Sequence, residues 1–134
     1  MFIQLDQSSD MPLYQQLRNQ IVAAIATGEL APGDGLPSVR TLGRDLGINL
    51  HTVNKAYALL RDEGYLVMRG RAGASVATPP GEDAALKRLS DGLALLVAEF
   101  KAAGGARQAF EEAVRTELDT AYGAVAPKGD EHDE

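Results

Sequence analysis

The stretch of residues 36–65, LPSVRTLGRDLGINLHTVNKAYALLRDEGY, constrains the fold of this chain more than any other part of it. Ser38 can cap a first helix with apolar residues at helical spacing, and Gly47 stands where a left-handed residue would end that helix. Asn49 can cap a second, longer helix, which carries its own apolar stripe. A short helix, a turn containing glycine and a longer helix together predict a helix-turn-helix.

The residues after the second helix predict a β-hairpin. Gly64 ends the helix, residues 65–68 are strand formers, and residues 74–77 can return as a second strand. The turn between them, RGRAG, contains two arginines. A helix-turn-helix followed by a basic hairpin is a winged helix, so the predicted fold class is mainly α with a small β-hairpin (α+β).

The residues before the helix-turn-helix predict one more helix. An apolar stripe runs from Pro12 to Thr27, with Asp10 as the expected cap and Gly28 as the terminator. Residues 2–5 are expected either to form a short strand or to pack as an arm, and residues 29–35 are expected to form a loop. Residues 1–78 are therefore expected to fold as a winged helix-turn-helix domain.

A second region begins after the turn sequence Pro79-Pro80-Gly81. Apolar residues then recur at spacings of three and four, which predicts a helix that packs on another helix. A second amphipathic helix follows a Gly-Gly-Ala turn, which is expected to be a loose hinge. We expect residues 79–126 to form this two-helix tail and the acidic residues 127–134 to be disordered.

A lone pair of helices leaves much of its apolar surface in water. Burial against a second copy of the chain is therefore expected, with packing onto the winged helix of the same chain as the alternative. The residues predicted to form the dimer interface are Leu86, Leu89, Leu93, Leu96, Phe100, Phe110, Val114 and Leu118.

Residues 11–78 resemble the DNA-binding domain of the GntR family of bacterial transcription regulators. The matching pieces are PLYQQL at residues 12–17, the GEL, PG, LPS and R block of residues 28–40, LG and N within residues 46–49, and TV and KAY within residues 52–57. The Asn-X-X-Thr-Val-X-X-Ala-Tyr spacing and the short helical tail resemble the YtrA-type subfamily. The resemblance implies a DNA-binding regulator whose tail forms the dimer, with targets near membrane-transporter operons.

In a helix-turn-helix, the N-terminal part of the second helix enters the major groove of DNA. His51 and Asn54 carry hydrogen-bonding groups suited to bases, whereas Asn49 and Thr52 suit phosphates at the positive end of the helix. The wing arginines would enter or cross the adjoining minor groove. The predicted DNA-binding residues are Arg40, Arg44, Asn49, Leu50, His51, Thr52, Asn54, Lys55, Arg69, Gly70 and Arg71.

Two of these positions depart from the family pattern. Many GntR regulators carry an arginine where Leu50 and Asn54 stand in this chain. Their replacement removes positive charge, and we expect it to shift the preferred operator toward contact between Leu50 and a thymine methyl group.

The net charge of −6 opposes nucleic-acid binding as a whole, but it is unevenly distributed. Residues 1–78 contain seven Lys and Arg against seven Asp and Glu, whereas residues 79–134 contain six against twelve. Arginines and a lysine occupy the elements expected to face a duplex. The local field there can favour DNA even though the tail repels it.

Several other classes of function find no support in the sequence. With no cysteine, the chain has no disulfide framework and no thiolate metal site. His51 and His132 are expected to be solvated, no set of residues suggests an enzyme, and no cofactor is indicated. The absence of a signal peptide and of a long apolar run predicts a cytoplasmic protein. The residues after the wing are too few for the large effector-binding or aminotransferase-like domain of many GntR proteins, and the sequence identifies no small-molecule effector.

Our hypothesis from the sequence is a homodimeric DNA-binding repressor. Two recognition helices related by a two-fold axis would read an inverted repeat with half-sites about one helical turn apart. A protein-interaction adaptor whose winged helix does not contact DNA is the competing hypothesis, supported by the acidic total and the missing arginines. A non-specific architectural DNA binder is a further alternative.

Overall fold

The computed structural model describes residues 3–124, which divide into two compact units at the boundary between Gly81 and Glu82. The first unit contains three helices and three short strands, and the second contains two helices. The elements are α1 (Leu13–Ala26), β1 (Gly35–Leu36), α2 (Val39–Leu46), α3 (Leu50–Asp62), β2 (Leu66–Met68), β3 (Ala74–Val76), α4 (Glu82–Ala102) and α5 (Arg107–Tyr122). The predicted fold class is confirmed, while the acidic end at residues 127–134 lies outside the described residues.

The helix-turn-helix forms through the capping residues that the sequence indicates. The Ser38 hydroxyl accepts a hydrogen bond from the Thr41 N–H at 3.2 Å, and the Asn49 side chain accepts one from the His51 N–H at 2.8 Å. Gly47 ends α2 in the left-handed conformation, with φ of 70°. All three predictions about these residues are confirmed.

The start of α1 differs from the prediction. The helix begins at Leu13 with Pro12 at the N-cap position, and no side chain caps it. The prediction of Asp10 as the cap was wrong because that residue lies three positions before the first helical residue. The Pro12 carbonyl instead accepts the N–H groups of Gln15 and Gln16 at 3.0 Å.

Residues 3–6, before α1, pack as an arm and not as a strand, while residue 2 of the predicted segment lies outside the described residues. Gln20 exchanges two hydrogen bonds with the backbone of Gln4, and Gln16, one helical turn earlier, does the same with the backbone of Asp6. Each glutamine amide thereby pairs one backbone N–H and one C=O of the arm. Ile3 and Leu5 are partly buried against the core.

The sheet contains one strand more than the predicted hairpin. Strand β3 lies between β1 and β2 and is antiparallel to both, with Leu36 opposite Ala74 and Leu66 opposite Val76. Gly35, the last residue of the predicted loop, instead forms strand β1 together with Leu36. The additional strand β1 pairs with β3 of the hairpin, so it joins the wing to the segment that leads into α2.

The hydrophobic core of the first unit lies between its helices and its sheet. Leu17, Ile21, Val53, Tyr57 and Leu60 are fully buried within it. The buried apolar residues are Leu17, Ile21, Ala24, Leu30, Leu36, Leu42, Val53, Ala56, Tyr57, Leu60, Leu66, Ala74 and Val76.

The second unit is a pair of helices without a buried residue in either. The two helices contact each other near the turn, where the ring centroids of Phe100 and Phe110 are 5.7 Å apart. The Gly105 N–H donates to the Phe100 carbonyl oxygen at 2.8 Å, and the Phe100 ring occupies the space beside the Gly105 Cα. A hydrogen bond and an aromatic ring thus support the turn, and the expected looseness of this hinge stays a prediction.

Candidate nucleic-acid interface

Helix α3 packs its apolar face against the core, so its polar face is exposed to solvent. Val53, Ala56, Tyr57 and Leu60 are buried on that inner face. The predicted base-reading residues His51 and Asn54 are both exposed. Leu50 and Thr52 are half-buried, which leaves part of each side chain accessible.

Asn49 has less hydrogen-bonding capacity for DNA than the sequence suggested. Its side-chain oxygen is occupied by the His51 N–H in the cap, so the amide NH₂ is the group that can meet a phosphate. The predicted phosphate role of Asn49 is therefore restricted to donation, which suits an anionic acceptor.

Helix α2, helix α3 and the turn between β2 and β3 enclose a groove of about 540 Å³. Arg40 lines it from α2, Asn54 from α3, and Gly70 and Arg71 from the turn between β2 and β3. The structure thus brings four of the predicted DNA-binding residues to one opening. The groove is also lined by residues that the sequence did not indicate as part of the interface: Ser38, Val39, Tyr57, Met68 and Gly73.

The groove is held in place by contacts that converge on residues 36–38. The Tyr57 hydroxyl donates a 2.8 Å hydrogen bond to the Pro37 carbonyl oxygen. On the wing side, Gly73 lies so close that an added Cβ would overlap the Leu36 carbonyl oxygen. Burial raises the pKa of the Tyr57 hydroxyl, so this group keeps its proton and remains a donor at neutral pH.

The two wing arginines have different environments. The Arg69 Nε donates to the buried Ser75 hydroxyl at 3.1 Å, and the Arg69 N–H donates to the Gly73 carbonyl oxygen at 2.7 Å. Arg71 is exposed in the short 3-10 turn Gly70–Ala72 at the tip of the wing. Arg69 is therefore partly engaged in bracing the wing, whereas the guanidinium of Arg71 reaches solvent.

Two further cations lie outside the groove. The Lys55 ammonium sits 4.1 Å from the centroid of the Tyr14 ring of α1. Arg44, at the C-terminal end of α2, is exposed and lies 3.9 Å from the carboxylate of its neighbour Asp45, a distance too long for a strong ion pair. Both charges stay available to a polyanion.

The charges around the groove favour an anion. No acidic side chain lines it, whereas two arginines do. Of the acids of the first unit, Glu63 pairs with Arg18 at 2.9 Å and Asp34 accepts the Ala31 N–H at 2.8 Å. The first unit has no net charge as a whole, yet its charges at the groove are positive.

Neither a metal centre nor a membrane span is found in the part of the chain that the structure describes. No group of three or more potential metal ligands occurs among residues 3–124. None of the helices in this range combines the length and the apolar character that crossing a membrane requires.

Comparisons with known proteins agree with the geometry. Residues 13–76 match the model of the gntR family of bacterial regulatory proteins. The chain is 35% identical over 85 residues to an HTH-type transcriptional regulator of Mycobacterium tuberculosis, covering 63% of this chain and 70% of that one. It is 43% identical over 70 residues to the HTH-type transcriptional repressor YtrA of Bacillus subtilis, covering 52% of this chain and 54% of the repressor.

A solved structure resembles a larger share of the chain. It is that of YtrA from Sulfolobus acidocaldarius, a GntR-family transcription factor, with a TM-score of 0.64 and 38% sequence identity. The match covers 76% of this chain and 99% of that one. The chain thus spans most of this protein but about half of the Bacillus repressor.

Proposed function

This chain belongs to the GntR family of bacterial regulatory proteins, as a YtrA-type transcription regulator, and on that premise we propose that it is a homodimeric repressor of an inverted-repeat operator. It acts in the cytoplasm without a cofactor. Repression is steric, since a dimer on a promoter excludes RNA polymerase from the same DNA.

The observation that carries the proposal is the groove shared by α2, α3 and the wing. Arg40, Asn54 and Arg71 come from three different elements and meet at one opening, next to the exposed face of the recognition helix. In winged helices of this kind, the helix enters the major groove and contacts from adjoining elements fix its register. Arg40 and Arg71 supply the backbone contacts, and His51 and Asn54 supply the base contacts.

The tail supports the homodimer. The apolar side chains of α4 and α5 are 37–58% exposed at the predicted interface positions Leu86, Leu89, Leu93, Leu96, Phe100, Val114 and Leu118, and Phe110 is half-buried. Helices with this much apolar surface gain free energy by burying it, at about 25 cal/mol per Å². A second copy supplies a matching surface, and a two-fold dimer matches the symmetry of an inverted repeat.

A selection on fragmented genomic DNA with the purified full-length protein, followed by sequencing, tests this proposal. We expect enrichment of one inverted repeat with half-sites about one helical turn apart. Fragments without a shared motif would indicate a non-specific architectural protein. If no DNA is recovered at low salt, the winged helix serves as a protein-interaction adaptor.

Single substitutions of the groove arginines test whether DNA binds at the groove. Arg40→Ala and Arg71→Ala each remove a cation from it, and we expect weaker binding with a lower dependence of log K on log salt, by about 0.9 per lost phosphate contact. Arg115→Ala is the matched control, because it removes the same charge from the exposed surface of α5. Equal effects of all three variants would contradict a specific role of the groove.

A further inference from the structure

Tyr14 and Lys55 form a contact between α1 and the recognition helix that the proposed function does not yet use. The Lys55 Nζ lies 4.1 Å from the Tyr14 ring centroid, well inside the roughly 6 Å range of a cation–π interaction. The ring is supported on its inner side, because Tyr14 is half-buried and packs against the hydrophobic core of the first unit. This aromatic face therefore defines where the ammonium group sits.

The contact places Lys55 at the side of the recognition helix and not at its centre. Successive residues of a helix are about 100° apart, so Lys55 projects at a different angle from Asn54. Asn54 lines the groove shared with α2 and the wing, whereas Lys55 contacts Tyr14 of α1 and does not line that groove. A lysine ammonium is a point charge that suits the phosphates of the DNA backbone.

The charge of Lys55 is also available for binding. No carboxylate among residues 3–124 forms an ion pair with it, and its side chain is exposed. An exposed lysine without such a contact samples many rotamers, and binding would have to restrict them. The Tyr14 ring restricts them in advance, which lowers the entropic cost of a phosphate contact.

Building on the proposed function, we infer that Tyr14 is a positioning residue for DNA binding. Its ring holds the Lys55 ammonium beside α1, outside the groove, where Lys55 contacts the DNA backbone. The pair strengthens binding to every sequence equally, because a phosphate contact carries no base information.

A double-mutant cycle on the full-length protein tests the inference, with an operator duplex and a scrambled duplex as probes. Lys55→Met keeps the aliphatic stem and removes the charge, and Tyr14→Leu removes the ring. We expect Tyr14→Leu to weaken binding about two- to fivefold per half-site. Lys55→Met should lower the salt dependence of log K by about 0.9 per half-site. In the Lys55→Met background, Tyr14→Leu should have no further effect.

Tyr14→Phe is the matched control, since it keeps the ring and removes the hydroxyl. It should bind DNA as the wild type does. If Tyr14→Phe is as weak as Tyr14→Leu, the hydroxyl and not the ring is the functional group, and the inference is overturned.

Two further outcomes would contradict the inference, and the measurements tell them apart. If Tyr14→Leu weakens binding equally with and without Lys55, the tyrosine acts through fold stability alone and the inference fails. A wild-type protein that binds neither duplex at low salt contradicts the proposed function itself, and the inference falls with it.

Discussion

The hydroxyl of Tyr57, in the middle of the recognition helix, donates a 2.8 Å hydrogen bond to the carbonyl oxygen of Pro37, directly before the cap of α2. Tyr57 is fully buried, so this bond is anchored in the core. Two residues after the cap, Arg40 lines the groove. The Tyr57 side chain thus links the recognition helix to the segment that leads into α2 and its cationic residue Arg40.

Tyr57→Phe should destabilise the protein by about 1 kcal/mol, the typical net contribution of one such hydrogen bond. The ring keeps its packing, so the change isolates the hydroxyl. Urea unfolding at a fixed protein concentration measures the loss, because the stability of the proposed dimer would depend on concentration.

Tyr65→Phe provides the matched control for this substitution. Tyr65 is half-buried, and its hydroxyl has no hydrogen-bond partner within residues 3–124. We expect its removal to change the free energy of unfolding by less than about 0.5 kcal/mol. Equal losses in the two variants would show that the Pro37 contact is not the source of the effect.

Stability should also depend on pH through Tyr57. Burial raises the pKa of its hydroxyl above the ordinary value of 10. Above that pH the unfolded chain loses the phenolic proton while the folded chain retains it, so the unfolded state is favoured increasingly. The contribution of Tyr57 is therefore complete below pH 10 and declines as pH rises toward the folded-state pKa.

The comparison of wild type with Tyr57→Phe isolates this effect from the other groups that titrate in the same range. The stability advantage of the wild type, measured by unfolding from about pH 8 to about pH 11, should shrink only above about pH 10. A constant advantage across the range would mean that Tyr57 ionises in the folded protein as readily as in the unfolded chain.

Gly73→Ala should displace the wing from α2. A Cβ at this position would overlap the Leu36 carbonyl oxygen and lie 2.9 Å from the Pro37 carbonyl carbon and 3.0 Å from the Ser38 nitrogen. These are backbone atoms of a paired strand and of the segment after it, so they yield less readily than a side chain. We expect a loss of more than about 2 kcal/mol in stability and weaker DNA binding, measured by unfolding and by titration of an operator duplex.

Gly70→Ala separates the clash at Gly73 from the cost of a positive φ. Gly70 has a φ of 62° and no atom within 4 Å of an added Cβ. Its substitution should cost only the conformational strain, about 1 kcal/mol. A similar cost at both glycines would show that the wing adapts easily to a side chain at position 73.

The features that were predictable from the sequence are those governed by neighbouring residues. Ser38 and Asn49 act as caps through bonds to N–H groups two or three residues away, and Gly47 ends its helix through its own conformation. Strand β1 escaped prediction because two residues carry no alternation pattern. It becomes a strand only by pairing with β3, which lies almost forty residues later in the chain.

The same limit applies to the candidate DNA-binding site, whose local features were predictable and whose contacts between elements were not. The sequence indicated which residues of α3 are exposed, since exposure follows from the apolar stripe on the opposite face. It could not indicate that Lys55 meets Tyr14 or that Arg69 donates to Ser75, because both contacts depend on how separate elements pack. Through these contacts Arg69 braces the wing and Lys55 is positioned by the Tyr14 ring, whereas Arg71 is freely exposed.

The proposed dimer surface of the tail contains a pair of neighbouring leucines that can be compared directly. Leu95 and Leu96 are adjacent in α4 and similarly exposed, at 60% and 56%. They project about 100° apart around the helix, and only Leu96 belongs to the stripe of residues at spacings of three and four. Leu96→Glu should therefore lower the dimer fraction at micromolar concentration by placing a charge in the proposed interface.

Leu95→Glu introduces the same charge outside the stripe and should leave the mass of the particle unchanged in sedimentation or light-scattering measurements. Operator affinity should fall with Leu96→Glu alone, since a monomer loses the second half-site. If both variants remain dimeric, the stripe on α4 is not the interface. If both become monomeric, the interface is broader than the stripe and extends around α4 to Leu95.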